Sequence, residues 1–153
     1  MSDGIIKLTQ EGLEKIKNEL RELKTVRRKE VAGRIEVAKE LGDLSENADY
    51  QAAKEESAWL EGRILELDNI LSRSQVAEAP KAGIVSIGST VTTQSNNQTR
   101  IFIIVGATEA DPGHGKISAE SPLGSALLGC KVDDDILVQT PGGAMRYKIV
   151  KVE

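Results

Sequence analysis

The chain has 153 residues, with 24 Asp+Glu against 20 Lys+Arg and a formal net charge of −4, a length that fits one domain or two small ones. Aromatic residues make up only 3%, which speaks against a base-stacking platform for single-stranded nucleic acid. The single cysteine, Cys130, excludes an internal disulfide framework and points to a reducing compartment, and the single histidine, His114, excludes a His-rich zinc site. No apolar run approaches the roughly 18 residues of a membrane span, and the N-terminus lacks the apolar stretch of a signal peptide. No membrane partner is expected, and the expected location is the cytoplasm.

Composition changes near Pro80. Residues 1–79 carry 13 Lys+Arg, 17 Asp+Glu and no proline, whereas residues 80–153 carry seven of each charge and all four prolines. The first half reads as long helices and the second as short strands and turns. The expected division is 1–79 and 80–153, with a linker at about 77–83.

Thr9 is a good N-cap with Glu11 in the first turn. Leu13, Ile16, Leu20 and Leu23 then recur at the 3-4-3 spacing of a coiled-coil seam. The seam breaks at Arg27, Arg28, Lys29 and Glu30, resumes loosely through Val31, Ile35, Ala38 and Leu41, and meets a helix stop at Gly42. A second run follows with Ala48, Ala52, Leu60, Ile64, Leu67 and Leu71. Folding one run on the other about residues 44–45 sets Leu41 near Ala48, Leu23 near Leu67 and Leu13 near Val76, an antiparallel coiled-coil hairpin. Thr9 to Leu41 spans 33 residues, roughly 50 Å as a helix. An arm that long is expected to project its end into solvent.

In the second half, strands are expected at Ser89–Thr93 and Arg100–Val105 around the turn Ser95-Asn96-Asn97, and at Gly115–Ala119. Ser121 as N-cap and Pro122 at N1 open a short helix that Gly129 closes. Ile136–Thr140 and Met145–Val152 pair around Pro141-Gly142-Gly143. The fold class is therefore an α-helical hairpin followed by a small α+β domain with an antiparallel sheet and one short helix.

The segment 42–50, Gly-Asp-Leu-Ser-Glu-Asn-Ala-Asp-Tyr, places Asp43 and Glu46 where the second helix starts. Two readings stand side by side. Asp43-x-x-Glu46 has the spacing of a capping box, Asp as N-cap and Glu at N3. Alternatively the two carboxylates serve Mg²⁺, which takes six oxygens and is commonly held by one or two carboxylates plus water and phosphate. Two side chains alone hold it poorly, so a partner must supply the rest, as in two-metal cleavage of a phosphodiester.

GDLSENADY, its continuation QAAKEESAWLEGRI, and the C-terminal SPLGSALLG and TPGG resemble the Gre family of bacterial transcript-cleavage factors, the GreA type more than GreB. The likeness runs through essentially the whole chain. It implies a coiled-coil hairpin and an FKBP-like domain that docks at the secondary channel of RNA polymerase. It also implies that Asp43 and Glu46 help hold the second Mg²⁺ of the polymerase, which then cuts the backtracked RNA at its 3′ end and resumes synthesis. On that resemblance the protein is a cofactor of cleavage and not a nuclease alone. Ser45 stands where a basic residue is expected in a typical member. Tyr50 either contacts substrate or packs between the helix ends. Asn47 is a weaker candidate contact, and Asp49 fits simple first-turn charge.

Arg27, Arg28, Lys29 and Arg34, with Lys54 on the return arm, read either as salt-bridge partners for acids such as Glu30 and Glu56 or as a track for the RNA 3′ segment. A hairpin half of net −4 argues against tight independent binding to nucleic acid, so any DNA contact is weak or indirect. Its acidity suits a basic channel. Ser121, Pro122 and Leu123 read either as helix capping or, by the resemblance, as part of the polymerase-docking surface. Asp133-Asp134-Asp135 reads as a solvated turn, His114 as a loop residue, Cys130 as half-buried and Trp59 as packed. A hairpin made within one chain needs no dimer. The alternatives are a family relative that blocks the channel without stimulating cleavage, a prolyl isomerase or chaperone, which the sparse aromatics oppose, and a plain coiled-coil adaptor.

Overall fold

The computed structural model describes residues 4–43 and 46–153. Their contacts divide into two compact units, one running to Gly12 and resuming with Ser74–Glu153, the other Leu13–Arg73. This division does not follow the composition change near Pro80. Two three-residue strands, β1 (Ile6–Leu8) and β2 (Ser74–Val76), pair in parallel with Leu8 opposite Val76. Leu8 is fully buried, and its carbonyl accepts from the Ala77 amide at 2.9 Å. Strands this short carry no readable periodicity. Val76, expected to face Leu13 across the hairpin, lies in a strand instead.

The outgoing arm of the helical unit is α1 (Gln10–Glu22), a π-helical turn (Leu23–Arg27) and α2 (Arg28–Glu40); the return arm is α3 (Ala48–Arg73). The π turn accounts for the broken seam. A heptad continued from Leu13, Ile16, Leu20 and Leu23 reaches Arg27, Glu30 and Arg34, three charged side chains. The apolar residues Val31, Ile35 and Ala38 come one position later than that heptad requires. One extra residue in the π turn absorbs the slip and brings Val31 and Ala38 back to the seam, where they are 2% and 3% exposed. Thr25 Oγ1 donates to the Arg21 carbonyl at 2.7 Å inside that turn. Leu20, Leu23, Val31, Leu60, Ile64 and Leu67 form the core of the pair, so Leu23 and Leu67 share it as expected. Near the tip the seam narrows to Ala38 and Ala53, while Ala52 and Leu41 are exposed. Ala53, not Ala52, therefore takes the inward position.

In the other unit, β3 (Thr90–Ser95), β4 (Gln98–Val105), β5 (Lys116–Ser118), β6 (Asp135–Thr140) and β7 (Gly143–Val152) form one sheet in the order β5-β4-β3-β7-β6. Pairing is antiparallel except at the β4–β5 edge, which is parallel. Asn96 and Asn97 join β3 to β4 with positive φ at both positions, as a tight hairpin turn between right-twisted strands requires. Val91, Ile104, Ile117, Leu127 and Ile149 fill the core beneath the short helix α4 (Pro122–Leu127). Asp133 takes a positive φ, and Asp134 accepts from the Lys131 amide at 2.8 Å, so the aspartate run is a turn as its composition suggests.

Candidate functional site: the acidic end of the hairpin

At the end of α2, the Leu41 amide donates to the Ala38 carbonyl at 3.2 Å, and Gly42 follows with φ +113°, a conformation that suits glycine. Asp43 and Glu46 are both exposed. Leu44 and Ser45 lie outside the described residues.

α3 starts beyond the capping box expected at Asp43-x-x-Glu46, a segment that includes residues outside those described. That helix begins at Ala48, and its N-cap is Asn47, whose Oδ1 accepts from the Tyr50 amide at 3.0 Å. The Asn47 carbonyl takes the Gln51 amide at 3.1 Å, the first intrahelical bond. The Asn47 side chain also donates through Nδ2 to the Ala38 carbonyl at 2.6 Å, so one residue caps the return helix and ties it to the end of the outgoing one. Asn is a favoured N-cap, and that signal was present in the sequence; the competing Asp43 spacing masked it. Tyr50 is half-buried, and the Lys54 ammonium sits 5.4 Å from its ring centroid. Asp49 lies in the first turn of α3, where a negative charge suits the helix dipole.

Arg27, Arg28 and Arg34 are all engaged by carboxylates. Arg27 reaches Glu30 at 2.9 Å and Glu56 at 2.7 Å, Arg34 reaches the same Glu56 oxygen at 2.6 Å, and Arg28 holds Glu61 by two hydrogen bonds of 2.8 and 2.9 Å. The hydrogen bond from Arg28 holds the Glu61 carboxyl below its ordinary range. These basic residues thus join the two arms, as the salt-bridge reading expects. A shallow groove between α2 and α3 runs from Arg27 and Arg34 past Val37 and Leu41 to Asp49.

In the sheet unit, Ser121 Oγ accepts from the Gly124 amide at 3.0 Å and donates to the Ser118 carbonyl at 2.7 Å. Pro122 is exposed, and Leu123 packs partly against the core.

Two family models account for nearly all of this chain: one described as transcription elongation factor, N-terminal, matches residues 6–76, and one described as transcription elongation factor, GreA/GreB, C-term, matches residues 79–153. The chain belongs to the GreA/GreB family of transcription elongation factors. Similar relatives carry the name transcription elongation factor GreA. That of Bacillus licheniformis is 49% identical over 98% of each chain, and that of Bacillus subtilis is 46% identical over 98% of each chain. Among solved structures, GreA factor homolog 1 of Thermus thermophilus is 30% identical over 97% of this chain and 99% of its own, with a TM-score of 0.45.

Two features of this GreA/GreB family member escaped the sequence reading. Glu109, in a single turn after β4, accepts from the Thr9 amide at 2.9 Å, from the Thr9 hydroxyl and from the Gly106 amide at 3.3 Å. Thr9 in turn caps α1 by accepting from the Gly12 amide at 3.0 Å. No local signal links residues 100 positions apart. Trp59, expected to pack, is 64% exposed, because it precedes the seam residue Leu60 and points about 100° away from it.

Proposed function

We propose that this elongation factor binds RNA polymerase, carries its hairpin into the secondary channel and stimulates the polymerase's own cleavage of backtracked RNA 3′ ends, so that arrested complexes resume synthesis. Asp43 and Glu46 are its acting residues. They add carboxylate oxygens to a Mg²⁺ that the polymerase holds jointly with them. The observation that supports this reading is the position of the helix cap. Asn47 carries it for α3, and Asp43 and Glu46 are exposed acids at the end of the packed helix pair.

The donor set fits a shared ion. Among the described residues no three Asp, Glu, His or Cys side chains gather at one point, and two carboxylates are about a third of the six oxygens that Mg²⁺ takes. When bound, the ion would supply Lewis-acid charge neutralisation to the cleavage of the phosphodiester. The chain's own part is to present two exposed carboxylates at the end of packed helices. The polymerase is the enzyme and this chain its accessory, acting as a monomer in the cytoplasm. Arg27, Arg28 and Arg34 are partly exposed in their ion pairs, and such pairs exchange a carboxylate for a phosphate at little cost. In this reading they, together with Lys54, Tyr50 and Asn47, meet RNA or channel wall, as does Ser45, which lies outside the described residues. Ser121, Pro122 and Leu123 belong to the docking side.

The test is transcript shortening in stalled, backtracked elongation complexes with Mg²⁺ present. Asp43→Ala and Glu46→Ala should each slow shortening by roughly a hundredfold or more while retaining polymerase binding and the Asn47 cap. Wild-type shortening by both variants removes the metal role.

A further inference from the structure

The chain crosses between its two units at Gly12–Leu13 on the way out and at Arg73–Ser74 on the way back. Helix α1 runs through the first crossing without a break, and α3 ends at the second, with β2 following at once. Residues of the sheet unit hold both crossings. β2 pairs with β1, and the Ala77 amide donates to the Leu8 carbonyl at 2.9 Å. The start of α1 is held by Glu109. Its Oε2 accepts from the Thr9 amide at 2.9 Å and from the Gly106 amide at 3.3 Å, and its Oε1 takes the Thr9 hydroxyl. That hydroxyl in turn accepts from the Gly12 amide at 3.0 Å.

The surroundings are shaped for this carboxylate. A Cβ at Gly12 would collide with it, and a Cβ at Gly106 would collide with the Lys7 carbonyl, so both close approaches require glycine. Capping α1 needs only the Thr9 hydroxyl. What Glu109 adds is a part-buried tie between the first turn of α1 and the sheet, made of charge-assisted hydrogen bonds, which are roughly twice as strong as neutral ones.

The tie matters because of leverage. At about 1.5 Å per residue, the arm from Gln10 to Glu40 is roughly 45 Å long, so a tilt of about 5° at its first turn displaces its far end by about 4 Å. A misplacement of about 1 Å at a reacting centre costs on the order of a hundredfold in rate. Asp43 and Glu46 stand at that far end, whereas Ser121, Pro122 and Leu123 belong to the same unit as Glu109.

We infer that Glu109 is a positioning residue for transcript cleavage: by tying the first turn of α1 to the sheet, it limits how far the hairpin swings while its end carries the two acids. This rests on the cleavage reading above and adds a residue to it. Glu109 acts through Thr9 and α1, not on the ion or the RNA.

The test measures transcript shortening on backtracked complexes against concentration of the full chain, giving a maximal rate and a half-saturating concentration. Glu109→Ala should lower the maximal rate by about tenfold and keep the half-saturating concentration within about twofold of wild type. Lost stability alone acts differently: it removes folded protein, raises the half-saturating concentration and leaves the maximal rate intact. Glu109→Gln keeps a carbonyl oxygen for the Thr9 and Gly106 amides and should recover most of the rate. Spin labels at Glu55→Cys and Gln139→Cys, in a Cys130→Ser chain, should show a broader distance distribution once Glu109→Ala is added. Should Glu109→Ala be unfolded at the assay temperature, Glu109→Asp, whose carboxylate stops one methylene short of Thr9, should show the same fall in maximal rate. A wild-type maximal rate for the folded variant, with or without a raised half-saturating concentration, overturns the inference and leaves the tip reading standing. A distance distribution no broader than that of the unsubstituted Glu109 chain also overturns it. Failure of the wild type to shorten transcripts overturns both readings.

Discussion

Asn47 reaches across the end of the hairpin to Ala38, its Nδ2 donating to the Ala38 carbonyl at 2.6 Å while its Oδ1 holds the Tyr50 amide at 3.0 Å. The side chain is both cap and latch. Asn47→Ala loses both bonds and should lower unfolding free energy by about 1–2 kcal/mol. Asn47→Asp keeps the acceptor for Tyr50 but sets a carboxylate against the Ala38 carbonyl. Denaturant titration should place it below wild type; equality with wild type would show that the latch contributes nothing.

Glu109 and two glycines make a second paired prediction. A Cβ at Gly106 would collide with the Lys7 carbonyl, and a Cβ at Gly12 with the Glu109 carboxylate. Backbone cannot yield as a side chain does. Gly106→Ala is therefore expected to be the more destabilising, by about 3 kcal/mol, against about 1–2 kcal/mol for Gly12→Ala. Glu109→Ala strands the Thr9 and Gly106 amides and should cost about 1–3 kcal/mol. Thermal melts of the three variants rank them.

The π turn makes a prediction opposite in sign to most deletions. Removing Thr25 takes out the extra residue, so the positions of Leu23, Val31, Ile35 and Ala38 fall on one uninterrupted heptad. The shortened chain should keep its helicity and lie within about 1 kcal/mol of wild type, since no core residue is lost. An alanine inserted after Ile35 should instead unseat Ala38 and melt the tip. A deletion variant that loses helicity as the insertion does would show that the π turn is needed for its own sake.

Cys130 gives a pH-dependent expectation. Burial, and then the negative charge of Asp134, push its thiol above the ordinary value, and its Sγ donates to the Ala126 carbonyl at 3.3 Å. The folded state therefore holds the proton at a pH where the unfolded thiol has released it. That contribution to stability is complete below the unfolded thiol's pKa and is lost as pH rises through the folded value, an alkaline window. Alkylation of the native protein near pH 8.5 should be several-fold slower than that of the urea-unfolded chain. Equal rates would remove the burial argument.

Much of the architecture was legible because it is local. The 3-4-3 spacing from Leu13 to Leu23, the Ser121-Pro122 helix start and the Asn96-Asn97 turn each depend on neighbours a few residues apart, and each appears where expected. The acids of the tip were legible as a pair, but their relation to the helix start was not. Asp43 and Asn47 both offer capping chemistry, and the choice between them depends on where the α2 carbonyls end.

By itself the sequence determined a long helical hairpin with acids at its turn and a small sheet, because hydrophobic period and turn chemistry act over single turns and strands. Only the tertiary structure decided which residue caps α3, how the one-residue slip after Leu23 is absorbed, that Glu109 clamps Thr9, and that Trp59 faces outward. Each of these depends on a hydrogen bond or a packing choice between segments distant in the chain. Their energies exist only once the segments meet, so no local pattern records them.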